Sequence, residues 1–118
     1  MPLMAVALPI LPGKTPEWRA WMEELHGTRQ AEFAESRRRA GVHERTFLQQ
    51  TPMGDFVLVT LEGDDPVRSF GQMLNATDPF SKWFGEHAMA VHGDLPPMTG
   101  SPSELVADSE MELASTVA

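Results

Sequence analysis

The stretch VHERTFLQQTPMGDFVLVTL, Val42 to Leu61, decides the fold class. Val42–Thr51 alternates apolar and polar side chains, the period of a strand with two unlike faces. Thr51-Pro52-Met53-Gly54 follows, with Pro at the second position and Gly at the fourth, which suits a type I turn with a glycine bulge. Phe56–Leu61 then returns as a second strand that is apolar on both faces. A strand of that kind is covered on both sides. Helices can cover one side, and the other calls for a second sheet or a second subunit.

Upstream, Leu3–Leu11 is a short apolar run closed by Pro12-Gly13, a strand pattern whose Pro9 puts its far end near an edge or a bulge. Thr15 then reads as the cap of a long helix, with Pro16 in its first turn and Gly41 as the left-handed stop after Ala40. Gly27 bends that helix or divides it. Downstream, Asp65-Pro66 opens a helix bearing Val67, Phe70 and Leu74. Asp78-Pro79 opens another bearing Phe80, Trp83, Phe84, His87 and Val91, ending at His92-Gly93. The order β, α, β, β, α, α is the ferredoxin-like plan with an extra helix: an α+β domain over 1–93 whose antiparallel sheet carries helices on one face. Pairing the bare faces of two such sheets in a homodimer buries the apolar half of Phe56–Leu61. Residues 94–118 are rich in Pro, Ser and acid, with disorder expected for part of them and room for one short strand over 104–107.

A net charge of −8 and a pI of about 4.8 argue against binding nucleic acid or an anionic membrane. The basic run Arg37-Arg38-Arg39 falls at a helix end, where cations offset the dipole. With no cysteine, thiolate nucleophiles, zinc–thiolate sites and iron–sulfur clusters are excluded. The four histidines have no metal-site spacing, and there is no phosphate loop, nucleophile elbow or dinucleotide fingerprint, so neither a metal nor an organic cofactor is expected. The apolar start has no preceding basic residues, so it reads as neither a signal peptide nor a membrane span, and a cytoplasmic location is the expectation.

Two polar residues stand on helical stripes that are otherwise apolar. His87 falls among Phe80, Trp83, Phe84 and Val91, and Arg29 falls among Trp18, Met22, Leu25 and Phe33. A buried imidazole could serve as general acid or base, and a guanidinium could steady an enolate or carboxylate. Internal pairing or a snorkelling arginine is the structural alternative. His43, Arg45 and Gln49 share one strand face with Phe47, the pattern of a pocket mouth or of a solvated edge. Trp21, Phe33, Trp83 and Phe84 are candidate walls of an apolar cavity or ordinary core. His26 and His92 lie at the margins of their stripes and are expected at the surface.

Leu61-Glu62-Gly63-Asp64-Asp65, then Asp78-Pro79-Phe80 with Trp83-Phe84, resembles the second half of small dimeric α+β-barrel proteins. Leu8-Pro9-Ile10-Leu11-Pro12-Gly13-Lys14 before a helix at Trp18 is similar to their opening. Over about residues 3–93 the chain resembles an uncharacterised bacterial family of that superfamily. More distantly it is similar to the tetracenomycin-type aromatic polyketide cyclases and the cofactor-free antibiotic-biosynthesis monooxygenases. The resemblance implies a homodimer joined through its sheets and an apolar pocket for a small, often aromatic molecule, used without metal or organic cofactor. The segment from Leu95 on departs from the long closing strand of that superfamily. The expected function is therefore a cofactor-independent cyclase, isomerase or dehydratase in biosynthesis. In it His87 moves the proton, Arg29 clamps an enolate, and Arg45 and Gln49 orient the substrate. The competing expectations are a monooxygenase acting on an activated phenol, a non-catalytic ligand-binding or stress-associated dimer, and a partner-binding protein with a filled core. Enzyme and carrier both predict an apolar cavity faced by His87 or Arg29.

Overall fold

The hairpin forms where the alternation and the turn place it. In the computed structural model, which describes residues 2–94 and 103–110, β2 (Val42–Thr51) and β3 (Gly54–Gly63) pair antiparallel from Val42↔Gly63 to Thr51↔Gly54. Two residues, Pro52 and Met53, make the turn. The Thr51 hydroxyl donates to the Gly54 carbonyl at 2.7 Å and accepts from the Met53 N–H at 3.2 Å. β1 (Leu3–Pro9) lies antiparallel on the other side of β3, giving a three-stranded sheet of order β1-β3-β2. α1 (Thr15–His26) and α2 (Gln30–Ala40) link β1 to β2, and α3 (Pro66–Asn75) and α4 (Pro79–His92) follow β3. This α+β architecture of three strands and four helices is compatible with the ferredoxin-like plan.

The pleat sorts the strands into two faces. Met4, Val6, Val42, Leu48, Val57, Val59 and Leu61 point toward the helices. Leu3, Phe47, Phe56 and Leu58 point away, and Leu3 and Phe47 are 56% and 50% exposed. Helices thus cover one face, and the other bears apolar side chains without cover among the described residues. The free edge of β1 meets the segment 103–110 instead of a strand: the Ala5 N–H donates to the Ser103 hydroxyl at 3.2 Å. Residues 104–107 form no strand, which corrects that expectation. Of the segment 94–118, where disorder is expected in part, residues 95–102 and 111–118 lie outside the described residues.

The expected long helix is two helices. Residues 27–29 form a turn, and a Cβ on Gly27 would sit 2.8 Å from the Glu23 carbonyl oxygen, so the break tolerates glycine alone. Lys14 occupies the cap position expected of Thr15. The Thr15 hydroxyl instead donates to Asp55 Oδ2 at 2.6 Å and ties α1 to the hairpin. α2 ends at Gly41, whose φ of +76° is the left-handed stop. Both Asp-Pro starts behave as read. Asp65 accepts from the Arg68 N–H, and Asp78 accepts from the Ser81 N–H and hydroxyl. The Ser81 bonds hold the Asp78 carboxyl below the usual carboxylate range.

Two clusters make the core. Ile10, Trp18, Trp21, Val57 and Val91 pack between α1, α4 and the sheet. Met4, Val42 and Leu61 pack with Phe70 and Met73 of α3. Val59 touches both clusters. No helix among the described residues is long and apolar enough to cross a membrane.

Candidate functional site

A cavity of about 650 Å³ lies between the sheet and the helices, alongside both core clusters. Its floor is the inward face of the strands, Val6, Leu8, Val57, Val59 and Leu61. Trp18, Trp21, Met22 and Leu25 of α1, Phe70 and Met73 of α3, and Phe84 and Ala88 of α4 complete it. Leu74, Lys82, Glu86 and Met89 line it and are exposed, which marks the mouth between α3 and α4. The volume falls within the range of small-molecule sites, and so does an apolar lining with a few polar groups.

The first polar group is an ion pair. Arg37 Nε donates to Glu44 Oε1 at 2.6 Å, with the two side chains 8% and 4% exposed. Arg37 Nη1 donates to the Ser36 hydroxyl, and the guanidinium lies 4.7 Å from the Phe84 ring centre and 5.0 Å from that of Phe33. Thr46 lines the same wall and its hydroxyl donates to Glu44 Oε2 at 3.4 Å. Glu44 stands here because the strand period puts it on the inward face with Val42 and Leu48. A carboxylate in that position requires a cation.

The second is His92, at the end of α4. It is 8% exposed and its Nδ1 lies 2.8 Å from the Pro9 carbonyl oxygen. A carbonyl only accepts, so Nδ1 carries the proton, and in the neutral ring Nε2 keeps its lone pair. Burial pushes the His92 pKa below its ordinary value, and the bond to Pro9 opposes that only in part. The ring is therefore neutral at pH 7. Glu44 lies in the row of Leu61 and Met4, whereas His92 binds Pro9, five residues further along β1. At ~3.3 Å per residue the two polar groups are ~16 Å apart along the strands.

The third is Trp21, which is 4% exposed and lines the cavity. Its indole Nε1 is buried without a hydrogen-bond partner among the described residues.

The residues that sequence reading put forward are placed differently. Trp21 and Phe84 line the cavity; His87, Arg29, Trp83 and Phe33 do not. Breaking the helix at Gly27 resets the helical phase. Arg29 becomes the cap residue of α2, where it pairs with Glu24 and Glu32, each at 3.3 Å, and lies 4.2 Å over the Trp83 ring. The buried arginine of α2 is Arg37, eight residues later. On α4 the inward line runs through Ser81, Gly85, Ala88 and His92, so His87 turns toward α1. There its ring stacks on Trp21 at 5.6 Å and meets Trp83 edge-on at 4.9 Å. Arg29 and His87 therefore do converge on Trp83, but outside the cavity. His43, Arg45, Phe47 and Gln49 occupy the outward face of β2, and Arg45 pairs with Glu62 at 3.4 Å. That face points away from the cavity, and none of the four lines it.

Sequence reading missed Arg37, Glu44 and His92 as cavity residues. Glu44 carried a usable signal, an acid on the apolar face of an alternating strand. His92 carried none, because its burial follows from Pro9, 83 residues away. No group of three or more His, Cys, Asp or Glu among the described residues is placed to hold a metal. The chain matches no protein-family model, no curated protein and no solved structure.

Proposed function

We propose that this protein is a cofactor-independent enzyme that moves a proton on a small, largely apolar molecule held in the cavity, in the manner of a cyclase, isomerase or dehydratase. The observation that carries the reading is His92. Its Nδ1 bond to Pro9 fixes the tautomer, burial keeps the ring neutral, and it stands on the cavity wall. His92 Nε2 accepts a proton from a carbon next to a carbonyl, the electron pair moves to the carbonyl oxygen as an enolate, and the imidazolium returns the proton. The role expected of His87 passes to His92, because only the latter lines the cavity. Arg29, already paired with two carboxylates, is not the enolate clamp in this reading.

The test is α-deuteration of 2-tetralone in D2O, followed by proton NMR. The native protein should accelerate exchange over a buffer control, and His92→Gln, whose amide can still donate to Pro9, should abolish the acceleration. Equal rates with and without the substitution would remove His92 from the chemistry.

The protein is further proposed to act as a cytoplasmic homodimer. Leu3, Phe47, Phe56 and Leu58 on the uncovered sheet face support this, since a second copy laid on that face would bury them. Leu58→Asp should then yield a monomer by sedimentation, and a variant that still sediments as a dimer would refute the sheet contact. A carrier without catalysis would use the same apolar cavity and would bind its ligand equally well with His92 replaced.

A further inference from the structure

We infer that Asp55 is the positioning residue of His92: its main chain grips the Pro9–Ile10 peptide, its carboxylate grips the start of α1, and together they aim the carbonyl that keeps the His92 proton on Nδ1. The inference rests on the reading of His92 as the proton carrier and names the part of the fold that prepares it.

One peptide group joins Asp55 to His92. The Pro9 carbonyl accepts from His92 Nδ1 at 2.8 Å, and the N–H across the same peptide, that of Ile10, donates to the Asp55 carbonyl at 2.9 Å. A trans peptide is planar, and its N–H and C=O point in opposite directions. Fixing the N–H on β3 therefore aims the C=O off the far side of β1, where His92 ends α4. A bond at the N–H also polarises the carbonyl into a better acceptor. The next N–H keeps α4 within reach, since Leu11 donates to the Val91 carbonyl at 2.8 Å.

Asp55 is held in turn through its side chain. A turn over Leu11, Pro12, Gly13 and Lys14, closed by the Lys14 N–H on the Leu11 carbonyl at 3.0 Å, brings the chain back beside it. Pro at the second position and Gly at the third, with φ +78°, suit that turn. The Thr15 hydroxyl then donates to Asp55 Oδ2 at 2.6 Å, and Gln50 Nε2 donates to the same oxygen at 3.4 Å. The cap position of α1 is Lys14, so the Thr15 bond is not a helix cap. Asp55 thus meets the segment 10–15 at both ends, by main chain at Ile10 and by side chain at Thr15. Neither Asp55 nor Thr15 lines the cavity, so the grip acts on His92 and not on a ligand. It matters to the chemistry because a neutral imidazole with its proton on Nε2 has no lone pair there to accept another.

The test reads the His92 ring by nitrogen–proton NMR at about pH 8, where an ordinary histidine is neutral. The native protein should hold the proton on Nδ1. Thr15→Val and Asp55→Ala break the same side-chain bond, and each should move His92 toward a mixture of the two tautomers. Thr15→Ser keeps the hydroxyl and should read as native. At saturating 2-tetralone the deuteration rate of the first two should fall about threefold to tenfold, the weight of one hydrogen bond, with KM unchanged. A native tautomer in both Thr15→Val and Asp55→Ala would overturn the inference. So would a Thr15→Ser that behaves like Thr15→Val, or a loss of activity carried by KM. Should Asp55→Ala not fold, the two Thr15 variants decide alone. The tautomer is read without substrate. If the native protein exchanges no deuterium, the catalytic reading falls and the NMR still decides whether Asp55 positions the ring.

Discussion

Arg29 and Arg37 lie two helical turns apart at the two ends of α2, each within reach of an aromatic ring and a carboxylate, and their surroundings differ completely. Arg37 is held between Glu44 and Phe84 with almost no exposure. Arg29 lies over Trp83 with 30% of its side chain exposed, shared between Glu24 and Glu32 that are more exposed still. The same three chemical groups are present in both places. What differs is water. At Arg29 solvent weakens the charge attraction and lowers the cost of separating the partners. At Arg37 the pair exists because neither charge can stand alone there.

Three outcomes would break or sharpen that contrast. The largest effect belongs to Arg37→Met, which strands Glu44 in the cavity wall. It should destabilise the fold by ~3–5 kcal/mol in urea unfolding, whereas the double change Arg37→Met with Glu44→Leu should restore most of the loss. If the single and double variants are equally unstable, the stranded charge is not the cause.

A smaller effect belongs to His92. Its pKa is lowered on folding, so between that value and the ordinary one of the unfolded chain the unfolded state holds more protons. Stability should therefore fall as the pH drops below about 6.5 and be unaffected by this group above it. Comparing urea midpoints at acid and neutral pH, His92→Gln should show the smaller acid loss. An unchanged acid loss would assign it to other groups.

The smallest effect belongs to Arg29→Met. It should cost less than ~1 kcal/mol and should shrink further in high salt. A cost matching that of Arg37→Met would erase the distinction between the two sites.

The difference between these arginines also marks what the sequence could and could not disclose. The hairpin was legible because period-2 alternation and a Pro-x-Gly turn are local, and both Asp-Pro helix starts were legible for the same reason. The helix before the hairpin carries a continuous apolar stripe through Trp18, Met22, Leu25, Arg29 and Phe33, which reads as one helix until Gly27 resets the phase. That one break moves Arg29 outward and Arg37 inward. The cavity residue Glu44 lies on a strand face whose inward sense follows from Val42 and Leu48, so its need for a cation was readable. Which cation answers it was not, since that depends on how α2 returns after Gly41. His92 and the orphan indole of Trp21 depend on contacts between distant segments, which no local pattern encodes.

The Ser103 hydroxyl on the Ala5 N–H has a consequence for how this chain behaves in a crowd. β1 is one of the two edges of the sheet, and an edge with unanswered backbone donors is a template on which a foreign strand can grow. Here a side-chain oxygen meets a donor that a foreign strand would otherwise pair, without itself presenting a new edge. At the far end of β1, Pro9 has no N–H to offer. A hydroxyl and a proline thus each take one backbone donor away from those this edge would present to another chain.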